Sequence, residues 1–249
     1  MAPLIDVRDL AKVYQLGELK VHALRGVTVT MERGSFVAVM GESGSGKSTF
    51  LNLLGCLDTP TRGRYLLDEI SVEGLDRDQL AEIRNQKIGF VFQNFNLLSR
   101  MSALENVELP LLYTSSPASD MSVLAKRALD SVGLQGRENN LPTQLSGGQQ
   151  QRVAIARALI NKPEIVLADE PTGQLDSRTG GEIMTVFQRL NQDQGITIVV
   201  VTHSDEVAKY AHRVITFRDG LVVSDEQNSQ SHPGSLDLVD HEPPVEVHP

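Results

Sequence analysis

The stretch Phe36-Val-Ala-Val-Met-Gly-Glu-Ser-Gly-Ser-Gly-Lys-Ser-Thr49 decides how the rest of the chain is read. Its first five residues are an apolar run suited to a buried strand, and Leu51–Leu57 carries apolar residues at helical spacing. Between them, Gly41 to Ser48 fits G-x-x-x-x-G-K-[ST], and the strand before and helix after turn that match into a mechanism. Gly44 and Gly46 let the backbone fold around phosphate with its N–H groups inward, and the following helix adds the positive end of its dipole. Lys47 is expected to reach the β- and γ-phosphates, Ser48 to ligate Mg²⁺, and Thr49 to offer a hydroxyl near the α-phosphate. Gly41, Glu42, Ser43 and Ser45 complete the candidate nucleotide contacts. A glycine- and serine-rich connector with a chance lysine is the plain alternative, and the flanking elements argue against it.

A second strand-like run, Ile165-Val-Leu-Ala-Asp169-Glu170, ends in two adjacent carboxylates. Strand alternation sends them to opposite sides, which predicts separate roles: Asp169 in the shell of Mg²⁺, Glu170 orienting or deprotonating an attacking water. Taken alone, an Asp-Glu-Pro after a strand reads equally well as a solvated turn.

The remaining pattern alternates around these two runs. Leu4–Asp9, Val27–Met31, Arg64–Leu67 and Ile88–Phe92 have strand character. From Asn94 to Lys162 helical periodicity takes over, near Ala103–Leu112, Ser122–Val132 and Gly147–Ile160. After Pro163, strand Glu164–Ala168, helix Arg178–Leu190, strand Ile196–Val201 and strands near Val214–Phe217 and Leu221–Val223 follow. The pattern predicts an α/β core with a helical insertion over about 94–162.

Composition narrows the class. The 249 residues carry a net charge of −9 with 40% hydrophobic residues, too apolar for a disordered chain. Six of those charges fall from Asp225 onward, and no Lys or Arg occurs after Arg218, so the body is only mildly acidic. Without a basic stripe, wrapping of nucleic acid has little electrostatic support. The acidic, proline-containing segment 227–249 is expected to be a disordered extension beyond a domain over 1–226; a docking peptide is the sharper alternative. Cys56 is the single cysteine, which excludes an intrachain disulfide framework and fits a reducing compartment. No apolar run reaches the length of a transmembrane helix, and the charged first ten residues do not read as a secretory leader. A cytoplasmic location is expected.

Leu145-Ser-Gly-Gly-Gln149, followed by Gln150-Gln-Arg-Val-Ala-Ile-Ala-Arg-Ala-Leu159, reads as a helix start capped by Ser146. Capping explains Ser146 but not the paired Gly147 and Gly148. With the glycine-rich loop and Asp169-Glu170, the segment resembles the signature of ATP-binding cassette (ABC) ATPases, and the resemblance extends from Leu4 to about Val223. It implies a P-loop (RecA-like) ATPase core with an N-terminal antiparallel β subdomain and an inserted α-helical subdomain. By the same resemblance Tyr14 stacks on adenine, although a lone tyrosine near a strand end more often packs. Gln93 would sense Mg²⁺ and the attacking water, His203 would contact the γ-phosphate, and Asp176 of Thr172-Gly-Gln-Leu-Asp176 matches the family's aspartate loop. Ser146, Gly147, Gly148 and Gln149 would meet the nucleotide held by a second copy, two ATP molecules bridging a head-to-tail homodimer.

Leu54-Gly-Cys-Leu-Asp58, Glu105-Asn-Val-Glu-Leu-Pro110 and Asp176-Ser-Arg-Thr-Gly180 are similar to the macrolide-exporter and lipoprotein-release (MacB/LolD-like) branch. That likeness implies an integral-membrane permease on a separate chain as partner, holding the protein at the inner face of the cell membrane. A regulatory cell-division ATPase of similar architecture, or a soluble ABC ATPase acting on nucleic acid or the ribosome, are the rival readings. The segment Asn94–Leu112, with Phe95, Leu97, Leu98 and Met101, is expected to form a groove for the partner's short helix, unless those residues pack the insertion's own core.

Overall fold

The computed structural model describes residues 2–114 and 120–228. Two sheets organise it. A six-stranded sheet has the order β10-β9-β3-β8-β7-β6, from β3 (Phe36–Gly41), β6 (Ile88–Phe92), β7 (Ile165–Asp169), β8 (Thr197–Val201), β9 (Arg213–Arg218) and β10 (Leu221–Gln227). Its neighbours are parallel except at the β9–β10 hairpin. A four-stranded antiparallel sheet, β2-β1-β4-β5, is built from β1 (Ile5–Leu16), β2 (Leu19–Met31), β4 (Arg62–Leu67) and β5 (Ile70–Ser71).

The strict alternation of a strand splits the core in two. Phe36, Ala38, Val166, Ala168, Ile198 and Val200 point to the face covered by the helical segments. Val37, Val39, Ile165, Leu167, Val199 and Val201 point to the face shared with the antiparallel sheet and helix α1 (Lys47–Leu54). The helical side holds α3 (Ala103–Glu108), α4 (Met121–Ser131), α5 (Gly147–Leu159) and α6 (Ser177–Gln194). The expected helical insertion is thus present, and α5 also packs on β6, tying the insertion to the parallel sheet.

Several boundaries move. β1 runs seven residues past Asp9, because bulges near Leu10 and Val13 absorb the residues that break alternation while pairing with β2 continues. Helix α1 starts at Lys47, four residues earlier than its apolar spacing suggests, since Gly46 at φ 104° turns directly into it. The helix expected over Ala103–Leu112 stops at Glu108 and tightens to a 3₁₀ turn over Leu109–Tyr113 around Pro110. Helix α2 (Arg77–Lys87) was not anticipated. Only Leu80 and Ile83 are buried on it, while a reciprocal Asp76–Gln79 capping box marks its start. A short α7 (Asp205–Ala208) follows β8.

The segment expected to be disordered from residue 227 begins too early. Gln227 pairs with Arg213 in β10, and Asn228 donates its side-chain amide to the carbonyls of Ala208 and Ala211. The expectation for residues 229–249 lies outside the described residues.

Candidate nucleotide site

Register brings the chemistry-bearing residues to one end of the parallel sheet. Phe92 lies opposite Asp169, Asp169 opposite Val201, and Val201 opposite Val39. Gln93, Glu170, Thr202 and the 41–48 loop therefore leave the carboxyl ends of adjacent strands together, where open α/β sheets bind ligands.

The loop after β3 is glycine-rich for steric reasons. A Cβ on Gly41 (φ 144°) would sit 2.3 Å from the carbonyl oxygen of Phe217, and one on Gly46 would sit 2.6 Å from that of Ala23. Gly220, in the Asp219-Gly220 turn of the β9–β10 hairpin, donates its N–H to the Ser45 carbonyl at 2.9 Å. That turn was not read as part of the site, although its Asp-Gly pair is a hairpin signal. Lys47, only 7% exposed, donates to the carbonyls of Gly41 (2.7 Å) and Glu42 (2.8 Å), which holds its ammonium across the loop. Ser45 Oγ is buried without a protein partner, a free polar atom inside the loop.

Asp169 faces the Ser48 hydroxyl and the Lys47 ammonium. Burial and the neighbouring Glu170 carboxylate raise its pKa, against the opposing pull of Lys47 and Ser48. Among the described residues no group of three or more His, Cys, Asp or Glu side chains could hold a metal. The donors offered here are the Ser48 hydroxyl, the Asp169 carboxylate and the Gln93 amide. Such a hard-oxygen set, with a single carboxylate, fits Mg²⁺, which is usually held by one or two carboxylates and completes its octahedron with water and phosphate oxygen.

Glu170 leaves the strand with φ 46°, its N–H bonded to the Val201 carbonyl at 2.9 Å. The separation of the two acids is thus made by a turn as well as by alternation. Glu170 Oε1 lies 2.7 Å from His203 Nδ1, and Thr202 Oγ1 donates to Glu170 Oε2 at 3.3 Å. His203 is largely exposed, whereas Glu170 is mostly buried.

Tyr14 lies near the end of β1, as expected, and is paired with Val21. Its hydroxyl donates to Asp58 at 2.8 Å, Lys12 Nζ stands 4.9 Å over its ring, and Thr49 also bonds to it. Burial, then the Asp58 carboxylate, raises the phenol's pKa. The tyrosine thus stands beside the first turn of α1.

The remaining candidates form a separate group at the N-termini of α5 and α6. Ser146 caps α5, accepting the Gln149 N–H at 3.3 Å while Gln149 Oε1 accepts the Ser146 N–H at 3.0 Å. Asp176 caps α6 through Thr179, and those bonds hold its carboxyl below the usual range. Space between the two caps is tight: a Cβ on Gly148 would approach Thr179 Cγ2 to 2.5 Å, so something must shift there, and one on Gly147 would come 3.2 Å from the flexible Leu175 side chain. Gly173 lies against the Gln93 amide, so the two groups touch at that point. Gln151, fully buried on α5, donates to the Pro171 carbonyl at 2.6 Å and toward that of Phe92 at 3.5 Å. It straps the signature helix to the segments carrying Glu170 and Gln93, a role its place in a glutamine run does not betray.

A groove of about 1170 Å³ opens beside Gln93, lined by Leu57, Phe90, Phe92, Leu109, Leu112, Tyr113, Arg84 and Arg157 among others. Tyr113 is 78% exposed and Leu112 56%. Arg157 donates to the carbonyls of Phe95 (2.9 Å) and Asn96 (2.6 Å), two residues at positive φ, bracing the loop after Gln93. Burial lowers the pKa of this guanidinium. Of the expected docking residues, Leu97 packs against the helical core, and Phe95, Leu98 and Met101 lie outside this groove, whereas Asn96, Leu109, Pro110 and Leu112 of the same segment line it. The rest of its wall comes mostly from Leu57, from α2 and from β6.

Residues 24–173 match the ABC transporter family model, and the chain belongs to that family. It is an ABC-type ATPase. It is 55% identical over 221 residues to the macrolide export ATP-binding/permease protein MacB of Syntrophobacter fumaroxidans, a match covering 88% of this chain and 31% of that protein. The chain thus spans about a third of the length of the MacB relatives it matches. It is 50% identical to the uncharacterized ABC transporter ATP-binding protein MJ0796 of Methanocaldococcus jannaschii, covering 90% of this chain and 97% of that one. The dimeric post-hydrolysis structure of MJ0796 bound to ADP and Pi superposes with a TM-score of 0.82 at 48% identity, over 90% of this chain and 98% of that one. The structure of cbiO1 from Clostridium perfringens, described as part of the ABC transporter complex cbiONQ, matches with a TM-score of 0.81 at 29% identity, over 92% and 89%.

Proposed function

We propose that this chain is the ATP-hydrolysing subunit of a transporter of the MacB type, working as a head-to-tail homodimer peripheral to the membrane and driving a permease. The carrying observation is the division of the site into two groups. The 41–48 loop and α1 pack on β2, β3, β7 and β8, whereas the Ser146 cap belongs to α5, which packs on β6, α3, α4 and α6. A symmetric dimer that lays the Ser146–Gln149 cap of one copy over the loop of the other completes both nucleotide sites, and ATP favours closure because it touches both halves.

In this reading the 41–48 backbone and Lys47 hold the phosphates, Tyr14 faces the adenine, and Ser48, Asp169 and Gln93 hold Mg²⁺. Held there, Mg²⁺ would supply charge neutralisation for the phosphates. Glu170 accepts the proton of a water whose oxygen bonds to the γ-phosphorus as the bond from phosphorus to the β,γ-bridging oxygen breaks, giving ADP and phosphate. His203 fixes Glu170 through Nδ1 and keeps Nε2 for the γ-phosphate. Ser146 and Asp176 of the partner copy close the site.

The groove beside Gln93 suits an amphipathic helix of the permease, with Arg157 linking its occupancy to the loop that carries Gln93. Tyr113→Glu, at a side chain outside the residues assigned to the nucleotide site, is expected to leave basal ATPase intact and to abolish stimulation by the reconstituted permease. Leu98→Glu, outside the groove, is expected to keep that stimulation. Phosphate release in proteoliposomes, with and without the permease, measures both. Equal stimulation of Tyr113→Glu and the parent protein would remove the groove from the docking surface.

A further inference from the structure

Thr202 is buried to 1% exposure immediately after β8, and its hydroxyl is shared by two partners. It donates to Glu170 Oε2 at 3.3 Å and accepts the Ser204 N–H at 3.1 Å. Its own N–H is bonded to the Val39 carbonyl at 3.1 Å, which fixes it against the strand that leads into the phosphate loop. The two bonds made by the hydroxyl flank His203, whose Nδ1 holds the other oxygen of Glu170 at 2.7 Å. Glu170 is therefore gripped at both oxygens by consecutive residues, and the chain segment presenting His203 is curled by the same hydroxyl.

We propose that Thr202 is a positioning residue for hydrolysis: its hydroxyl sets the rotation of the Glu170 carboxylate and the placement of the His203 loop. Proper alignment matters because a general base acts only within hydrogen-bond reach of the proton it removes. Valine matches threonine in shape but cannot donate to Oε2 or accept from Ser204. The substitution would leave Glu170 hinged on His203 alone, and would orphan one N–H at the start of α7. Serine keeps both bonds. Thr202 makes no hydrogen bond to Lys47 or to the Ser146 cap, so ATP binding and dimer closure are not expected to depend on it.

The inference rests on the role proposed for Glu170, and the experiment separates the two. Steady-state hydrolysis by Thr202→Val is expected to show kcat reduced about tenfold or more, the scale of a lost bond to a charged group. KM for ATP and ATP-driven dimerisation should be unchanged. Thr202→Ser should restore kcat, and adding Thr202→Val to Glu170→Gln should cause little further loss, because the two act as one unit. A Thr202→Val protein with parental kcat, or a serine variant as slow as valine, or a loss that appears in KM and dimerisation instead of kcat, would overturn the proposal. If Glu170→Gln itself turned over normally, the role of Glu170 would fall first. If that variant is slow while Thr202→Val is not, only the positioning role falls.

Discussion

Glu170→Gln is expected to lower ATP turnover by roughly 10²–10⁴-fold while leaving ATP binding intact. The amide keeps the shape of the side chain and can still meet His203 and Thr202, which hold the carboxylate at 2.7 and 3.3 Å. What it loses is the capacity to take a proton. With binding preserved and the reset blocked, ATP and Mg²⁺ should accumulate the closed dimer, visible as a shift in size-exclusion chromatography. A variant that remains monomeric at saturating ATP, or that releases phosphate at the parental rate, would refute both the base assignment and the ATP-bridged dimer.

Lys47→Ala should fail one step earlier. A charge-assisted phosphate contact contributes about 1.5–3 kcal/mol, so nucleotide affinity should drop by roughly 10–150-fold. The side chain also ties the Gly41 and Glu42 carbonyls together, so alanine loosens the loop as well as removing the charge. Titration calorimetry with ATP measures the affinity, and a thermal melt checks that the fold survives. Unchanged affinity would mean that the lysine serves the loop and not the ligand.

The parallel core was readable because its strands are short apolar runs between glycine or proline turns, and β6 falls over Ile88–Phe92 as expected. The site loop was readable because few sequences satisfy its steric demands. Helix α2 was hidden since two buried residues do not make a visible period; its capping box was the available clue. β1 beyond Asp9 was hidden by bulges that scramble alternation. The groove escaped because its wall is assembled from Leu57, Phe90, Leu112 and Arg157, which are neighbours only after folding. Thr202, Gln151 and Gly220 act through one group each, and a lone hydroxyl, amide or N–H leaves no mark in a residue pattern.

The alternation that points Phe36 to one face and Val37 to the other also insulates one half of the molecule from the other thermodynamically. Phe50 and Phe187 are both fully buried, yet they belong to clusters separated by the parallel sheet and share no neighbours. Losses from Phe50→Leu and Phe187→Leu should therefore sum, within about 0.5 kcal/mol, in a denaturant-melt cycle. A chain built this way can accumulate substitutions on the helical side without taxing the packing that supports the phosphate loop.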